Sequence, residues 1–333
     1  MLRLVRLAYV VAATLCVLLA VSGCGTADLA RKTFPRSTVP VAADNAADST
    51  GTGTATSGQA ADAAFAIDKL RLVDPCKVLE GVVGLVGRPS DYNASGFSEC
   101  SNYTQDERGE DLSVSVRLGQ SMTLEVQKAD KQIAGMRAYE QKLDSNACFV
   151  NIITQENPGL GITVQIGAKA GDPCAPGRTV AEGVVKQIKQ KAPSRTPAKG
   201  SLLGLDPCAL PDEAAVTDAV GSAPRRFPYG MHNCSWSTAT ADVGIDLRSS
   251  FIPKDNKFDD EQRDVDLGGV AAFQTLKAGA YPTCTLKWVQ RGTSGNEGEL
   301  VEVKSSGSKS SDFDRCAKAQ AFAKALLPRI PKA

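Results

Sequence analysis

The chain has 333 residues, with 38 lysines and arginines against 37 aspartates and glutamates, and one histidine. The absence of a basic surplus argues against nucleic-acid binding, and a single histidine excludes a His-rich metal site. The length suggests about two domains, and the ten cysteines favour an oxidising compartment over a reducing cytosol.

The first 24 residues predict a lipoprotein signal peptide. Arg3 and Arg6 precede an apolar run over 7–20, which has the length of a secretory h-region. A spanning helix needs about 20 apolar residues, so a transmembrane anchor fits less well. The run ends in Val-Ser-Gly before Cys24, which resembles the lipobox of bacterial lipoproteins. This implies removal of 1–23 and acylation of Cys24, in preference to an ordinary signal peptide with a chance cysteine.

The predicted acyl chains on Cys24, palmitate among them, would place the protein outside the cytoplasm and anchor it to the cell membrane. Residues 24–66 are rich in Ala, Thr, Ser, Gly and Asp and show no sustained apolar period. Such a segment cannot bury enough apolar surface to offset its chain entropy. It therefore predicts a flexible tether after the lipidated cysteine.

From about residue 70 the chain contains two copies of one pattern. Each copy opens with an Asp-Pro-Cys sequence, starting at Asp74 and at Asp206, and each contains four cysteines. The successive gaps are 24, 48 and 26 residues in the first copy and 26, 50 and 32 in the second. We therefore predict two tandem similar domains at 67–188 and 202–333, joined by a linker at 189–201.

Local signals predict the same elements in both copies. Asp74 and Asp206 are good N-cap residues followed by proline, and each is expected to start a helix that ends near Gly87 or Gly221. Apolar and polar residues then alternate, which indicates half-buried strands. The predicted strands cover 98–104, 111–118, 148–154 and 162–167, then 232–239, 242–248, 284–290 and 299–304.

A helix is expected to close each copy, at 177–190 and at 312–327, and a further short helix at 131–141 and at 268–277. The connections are too short to supply the crossover helices of a parallel sheet. The predicted fold class is therefore α+β. Each domain would be an antiparallel sheet with its N- and C-terminal helices on one face and two disulfides.

The eight cysteines of the two copies predict four disulfides. Each set of four allows three pairings; we favour neighbours, because each bond would then join a terminal helix to a nearby strand. A loop of about 25 residues closed in this way is worth ~3.5 kcal/mol. Neither the close cysteine pairs of zinc sites nor a C-x-x-C redox motif is present. The predicted bonds are Cys76–Cys100, Cys148–Cys174, Cys208–Cys234 and Cys284–Cys316.

No residues predict catalysis, a metal or a cofactor. His232 is better explained as a solvated strand residue beside a disulfide than as a catalytic base. An acidic cluster lacks the spacing of a calcium loop, and Trp236 and Trp288 are expected in the core. The acidic residues are Asp259, Asp260, Glu261, Asp264 and Asp266. The aromatic residues near predicted loops, which could line a cleft, are Tyr92, Tyr103, Phe227, Tyr229 and Tyr281.

Each half resembles the actinobacterial lipoprotein family called domain of unknown function 3558. The matching features are the opening at Leu205–Cys208, the spacing of Cys234 and Trp236, and the late Cys316 before a final helix. The first copy departs from this pattern, since Asn102 stands where the tryptophan would be. The resemblance implies a lipid-anchored extracytoplasmic protein of mycobacteria or their relatives, and the family supplies no activity. More distantly, the plan is similar to extracellular sensor domains of actinobacterial receptor kinases.

Together these features favour a non-catalytic binding or sensor-like module of the cell envelope. Its ligand would be a small molecule, a glycolipid or a protein. A structural or assembly lipoprotein is the first alternative, and a large apolar patch outside any cleft would favour it. An envelope hydrolase is the second alternative, and it would require a polar constellation in a cleft.

Overall fold

The computed structural model describes residues 60, 62–143, 146–169, 171–253, 262–279, 281–307 and 313–333. The predicted signal peptide, Cys24 and most of the predicted tether lie outside these residues, as do Asp259, Asp260 and Glu261. Within the described ranges, no helix has both the length and the apolar character needed to cross a membrane.

Antiparallel strand pairing dominates the described structure, as the alternating patterns predict. The longest strands, β3, β10 and β14, each bury one set of alternating side chains for much of their length. The strands are β1 (Arg88–Ser95), β2 (Glu99–Gln105), β3 (Asp111–Ser121), β4 (Lys131–Ile133), β5 (Met136–Leu143), β6 (Ala147–Glu156), β7 (Gly159–Ala168), β8 (Arg225–Gly230), β9 (Asn233–Ser237), β10 (Ala241–Phe251), β11 (Gln262–Asp266), β12 (Ala271–Lys277), β13 (Thr283–Gly292) and β14 (Glu297–Gly307).

The two halves of the chain have the same strand order. In the first half the neighbours run β1-β2-β3-β7-β6-β5-β4. In the second they run β8-β9-β10-β14-β13-β12-β11. One strand pair, Gln120 opposite Gly230, joins β3 to β8 and makes the two sets of strands continuous. The described residues lie in one compact unit, Ala55–Ala333.

Six α-helices accompany the described strands. The Asp74 carboxylate caps α2 by accepting hydrogen bonds from the amides of Cys76 and Lys77, as predicted. The Asp206 carboxylate accepts from the Cys208 amide, but there it starts a single 3₁₀ turn, Pro207–Ala209. The helices are α1 (Ile67–Leu72), α2 (Pro75–Glu80), α3 (Glu125–Lys128), α4 (Cys174–Lys191), α5 (Glu213–Val220) and α6 (Arg315–Leu326).

Three local predictions need correction. Residues 131–141 and 268–277 contain strands, because burial alternates residue by residue, as with buried Met136 and Ala138 on β5. The helix after Asp74 ends at Gly81 and not at Gly87, whereas Gly221 does follow α5. The final helix starts after Asp314, whose carboxylate accepts from the backbone amides of its first turn.

Each half has its own hydrophobic cluster. In the first cluster, Val180, Val184 and Val185 of α4 are buried with side chains of β3, β6 and β7. In the second, Trp236 and Trp288 are buried beside α6, as predicted for the core. Burial of these apolar side chains is the main favourable term in folding.

Four disulfides join helical segments to strands. In the first half they link α2 to β2 and β6 to α4. In the second they link the turn after Asp206 to β9 and strand β13 to α6. The bonds are Cys76–Cys100, Cys148–Cys174, Cys208–Cys234 and Cys284–Cys316.

The ends of two predicted segments are packed against the first half. Phe65, within the predicted tether, is 1 % exposed and belongs to the first cluster, so the folded part begins before residue 67. Arg195, within the predicted linker, donates hydrogen bonds to the carbonyls of Val73 and Phe97. Backbone pairing of Val73 with Ser194 holds this segment in place.

Candidate binding groove and the junction between the halves

A groove of about 760 Å³ lies at one end of the first half's sheet. It is formed where β1 and β3 begin and where β2 and β7 end, so four strand ends contribute to its walls. This volume is in the range of small-molecule sites. The lining residues are Arg88, Pro89, Ser90, Tyr103, Thr104, Gln105, Asp111, Leu112, Ser113, Gly167, Ala168 and Lys169.

Two polar groups of the groove have no partner among the described residues. Thr104 is 3 % exposed, and its hydroxyl makes no hydrogen bond. Because side chains alternate along β2, the Thr104 hydroxyl lies on the buried face of the strand, opposite the face that carries exposed Tyr103. Arg88, at the start of β1, is exposed, and its guanidinium forms no ion pair or hydrogen bond within the described structure.

The rest of the groove combines an aromatic ring with charged groups at the rim. The Tyr103 side chain is 67 % exposed, and the residue lies opposite Ser113 of β3. The Lys169 ammonium donates to the Asp111 carboxylate at 2.6 Å, which lowers the pKa of Asp111 and raises the pKa of Lys169. Because both groups are exposed, solvent screens this pair and it adds little stability. Arg88 is left as the available cation.

This arrangement has the features of a binding groove. A guanidinium recognises carboxylate or phosphate oxygens through two parallel hydrogen bonds. Tyrosine and proline surfaces accept the apolar part of the same ligand. The lining contains no histidine or cysteine, and among the described residues no group of three possible metal ligands is found anywhere.

His232 lies at the junction between the halves, away from this groove. Its Nε2–H donates to the Leu203 carbonyl at 2.8 Å, and the Ser98 hydroxyl lies 3.2 Å from its Nδ1. The pKa of His232 is lowered to about 4, mainly by burial; the hydrogen bond to Leu203 opposes this shift, and the nearby cations Arg71 and Arg195 contribute to it. An imidazole with so low a pKa is neutral and weakly basic at pH 7, so this serine–histidine pair is poorly suited to acid–base catalysis.

The junction repeats the same contacts from both sides. Phe97 of the first half belongs to the second hydrophobic cluster, and Met231 of the second half belongs to the first. Their next residues, Ser98 and His232, each accept a backbone hydrogen bond at 2.8 Å, from Leu118 and Leu247 respectively. Because these positions correspond in the two copies, the halves meet through an approximately twofold exchange of equivalent residues.

Arg71 reinforces this junction. Its Nε donates to the Met231 carbonyl at 2.9 Å, and its Nη2 lies 3.0 Å from the Asp206 carboxylate. The side chain is buried, and this burial lowers the pKa of Arg71 even though Asp206 raises it. The arginine thus connects the end of α1 with two separate segments of the second half.

The residues singled out in the sequence do not converge on one site. Tyr103 lines the groove, whereas Phe227 and Tyr229 stack on each other on β8. The Asp266 carboxylate accepts from the amides of Gly268 and Gly269 and so closes the turn between β11 and β12. Sequence reasoning missed Arg88, because a lone cation carries no signal without the groove around it.

No protein-family model matches the chain, and neither does any curated protein. Two solved structures show a faint likeness. The di-domain ARO/CYC protein StfQ of the steffimycin biosynthetic pathway is 8% identical, with a TM-score of 0.14 over 78% of this chain and 92% of that one. The di-domain ARO/CYC protein BexL of the BE-7585A pathway is 9% identical, with a TM-score of 0.13 over 79% and 90%.

Proposed function

We propose that the protein is a lipid-anchored, extracytoplasmic protein of the cell envelope that binds a ligand without catalysing a reaction. The lipobox-like ending at Cys24 supports the anchor. The buried, weakly basic His232 and the absence of a nucleophile–base pair in the groove support a non-enzymatic role. The resemblance to the actinobacterial lipoprotein family agrees with the proposed anchor.

We also propose that the folded part arose as two tandem similar domains, each with its terminal helices on one face of its sheet. Two observations support this proposal: the identical order of seven strands in each half and the matched positions of the disulfides. The reciprocal contacts of Phe97 and Met231 then correspond to the interface of an ancestral dimer.

The groove of the first half is the proposed ligand site. The observation that carries this proposal is the combination of the unpartnered Arg88 side chain and exposed Tyr103 in one groove. A ligand with an acidic group and an apolar ring or chain would engage both. The proposed ligand class is therefore an anionic amphiphile or a small aromatic acid.

This proposal can be tested by titrating the full chain with 1-anilinonaphthalene-8-sulfonate and measuring the fluorescence of this probe. We expect saturable binding that Arg88→Gln weakens about tenfold, which corresponds to ~1.4 kcal/mol for a lost charge-assisted hydrogen bond. Arg263→Gln, on exposed β11, is the matched control and should leave the affinity unchanged. Equal affinity of both variants and the unsubstituted protein would contradict the assignment.

Native mass spectrometry of the protein taken from its own envelope supplies a second test. We expect a bound mass that is lost in Arg88→Gln. A protein that carries neither a ligand nor a partner would count against the binding role.

A further inference from the structure

A second, smaller pocket of about 290 Å³ lies on the second half's sheet, on the polar face of β8, β9, β10 and β14. Its floor is formed where Ser235 of β9 lies opposite Gly244 of β10, which in turn lies opposite Lys304 of β14. The two halves share a strand order, but this pocket and the groove of the first half are formed at different strand positions.

Ser235 gives the first indication of a ligand. Its side chain lines the pocket and is only 7 % exposed, and its hydroxyl has no hydrogen-bond partner in the described structure. Native proteins leave few buried hydroxyls unsatisfied. A ligand hydroxyl in the pocket would supply the missing partner.

Gly244 leaves space for a ligand in this pocket, because it has no side chain. On β10 the side chains of Asp242 and Asp246 flank it on the same face, while Val243 and Ile245 are buried on the other. A Cβ at Gly244 would come within 3.5 Å of the Ser235 Cβ, an ordinary contact, so a larger side chain would fit the backbone but occupy the pocket. A glycine within a strand commonly marks such a close approach.

The charges in and around the pocket leave one carboxylate free. Asp246 pairs with Arg248, and buried Glu302 pairs with Lys304 at 2.7 Å and Lys287 at 3.0 Å. The Asp242 carboxylate forms no ion pair or hydrogen bond in the described structure, and burial raises its pKa. Three carboxylates on the lining disfavour an anionic ligand, but a free carboxylate readily accepts hydrogen bonds from neighbouring ligand hydroxyls.

An aromatic surface forms one wall. Tyr229 is 57 % exposed and stacks on Phe227, with the ring centroids 6.1 Å apart and the planes inclined by 24°. The guanidinium of Arg225 lies over the Phe227 ring, 5.0 Å from its centroid. This packing supports the ring of Tyr229 from β8 while leaving part of it open to a ligand with an apolar face.

We propose that this pocket binds one pyranose ring, as a free sugar or as a unit of a glycan or glycolipid. A pyranose has both an apolar C–H face, which would lie on Tyr229, and neighbouring hydroxyls, which would donate to Asp242 and hydrogen-bond with Ser235. The volume of the pocket suits one ring and not an extended chain. This site is separate from the proposed anion-binding groove and does not depend on it.

Saturation-transfer difference NMR on the full chain tests the proposal. The probes are the methyl glycosides of glucose, galactose and mannose, and sorbitol is the acyclic control. We expect saturable transfer to at least one glycoside, strongest at the protons of its apolar face, and none to sorbitol. Gly244→Val should weaken binding at least tenfold by filling the pocket. Valine is favoured in strands, so the variant is expected to fold.

The matched control is Gly292→Val, a strand glycine of the same half with open space around it. It should bind the glycoside as the unsubstituted protein does, and so should Tyr103→Ala, which alters only the groove of the first half. Retention of full binding by Gly244→Val, or no transfer to any of the three glycosides, would overturn the proposal. A sugar response without an 1-anilinonaphthalene-8-sulfonate response would support this site and refute the groove.

Discussion

At the residue scale, one pair of corresponding positions has two different roles. Ser98 and His232 occupy the same place before a disulfide-bonded strand, and the structure brings them within 3.2 Å of each other. The ring of His232 also packs 4.9 Å from Phe97. The sequence predicts a solvated strand residue at His232, whereas the structure has a buried histidine in the turn before β9. Its burial and its partner both follow from the way the halves meet.

The low pKa of His232 predicts a specific loss of stability in acid. Unfolded histidine binds its proton below about pH 6.5, whereas the folded residue does so only below about pH 4. As the pH is lowered from about 6.5 to about 4, the free energy of unfolding should therefore decrease by about 3 kcal/mol in all. Above about pH 6.5 this group causes no further change in stability.

Urea unfolding of the protein and of His232→Gln at pH 7.5 and pH 4.5 measures this effect. Carboxylates titrate in both proteins, so the difference between the two pH responses isolates the histidine. We expect the unsubstituted protein to lose about 2–3 kcal/mol more than the variant over this interval. The same loss in both would show that His232 titrates normally.

Arg71 is the second residue with a measurable role. Arg71→Met should cost about 3 kcal/mol, because it leaves the Met231 carbonyl and the Asp206 carboxylate without their buried partner. Lys77→Met, which removes the exposed pair with Glu80, is the control and should change stability by less than about 1 kcal/mol. Chemical denaturation of both variants gives the comparison; similar small losses would contradict a central role for Arg71.

At the scale of elements, the local signals were strongest where one face of a strand is buried. The alternation at 111–118 and 242–248 predicted β3 and β10, and Asp74 predicted the start of α2. The sequence predicts short helices at 131–141 and 268–277, where the structure has strands. Their strand structure depends on pairing with β6 and β13, which lie close in space but not in sequence.

Gly119 within β3 shows how an element adapts to its neighbour. The residue has φ +63°, and a Cβ there would lie 2.1 Å from Cγ of Met231. Gly119→Val should therefore destabilise the protein by more than about 2 kcal/mol, through backbone strain and displacement of Met231. Gly244→Val, also on a long strand but with room for its Cβ, should cost much less. Thermal unfolding of the two variants makes the test, and equal melting temperatures would contradict it.

At the scale of the whole molecule, the exchange of Phe97 and Met231 couples the two cores. Arg71, Arg195 and the single strand pair at Gln120 add hydrogen bonds to the same region. Removing either half would expose apolar residues of the other. The halves should therefore unfold together, although each has its own hydrophobic cluster and its own two disulfides.

Tryptophan fluorescence can measure this coupling, since both tryptophans, Trp236 and Trp288, belong to the second half. Ile166→Ala in the first cluster should cost about 2–5 kcal/mol and lower the midpoint of the tryptophan transition together with that of the circular dichroism signal. Leu85→Ala, at an exposed position, is the control. An unshifted tryptophan transition would show that the halves unfold independently.

The proposed anchor gives the last prediction at this scale. Cys24→Ala should move the protein from the membrane fraction to the soluble fraction and abolish incorporation of an azide-labelled palmitate analogue, because the acyl chains provide the membrane affinity. Cys16→Ala, within the apolar run, is the matched control. Labelling that persists in Cys24→Ala would contradict the proposed lipidation.

The sequence by itself determined the repeated pattern, most of the strands and the neighbouring cysteine pairs now present as disulfides, because these depend on residue spacing and local burial. Only the tertiary structure decided how the halves share Phe97 and Met231, why His232 stays neutral, and where Thr104 and Ser235 are left without partners. The physical reason is that burial, desolvation and hydrogen-bond satisfaction depend on neighbours far away in the chain, on which local spacing carries no information.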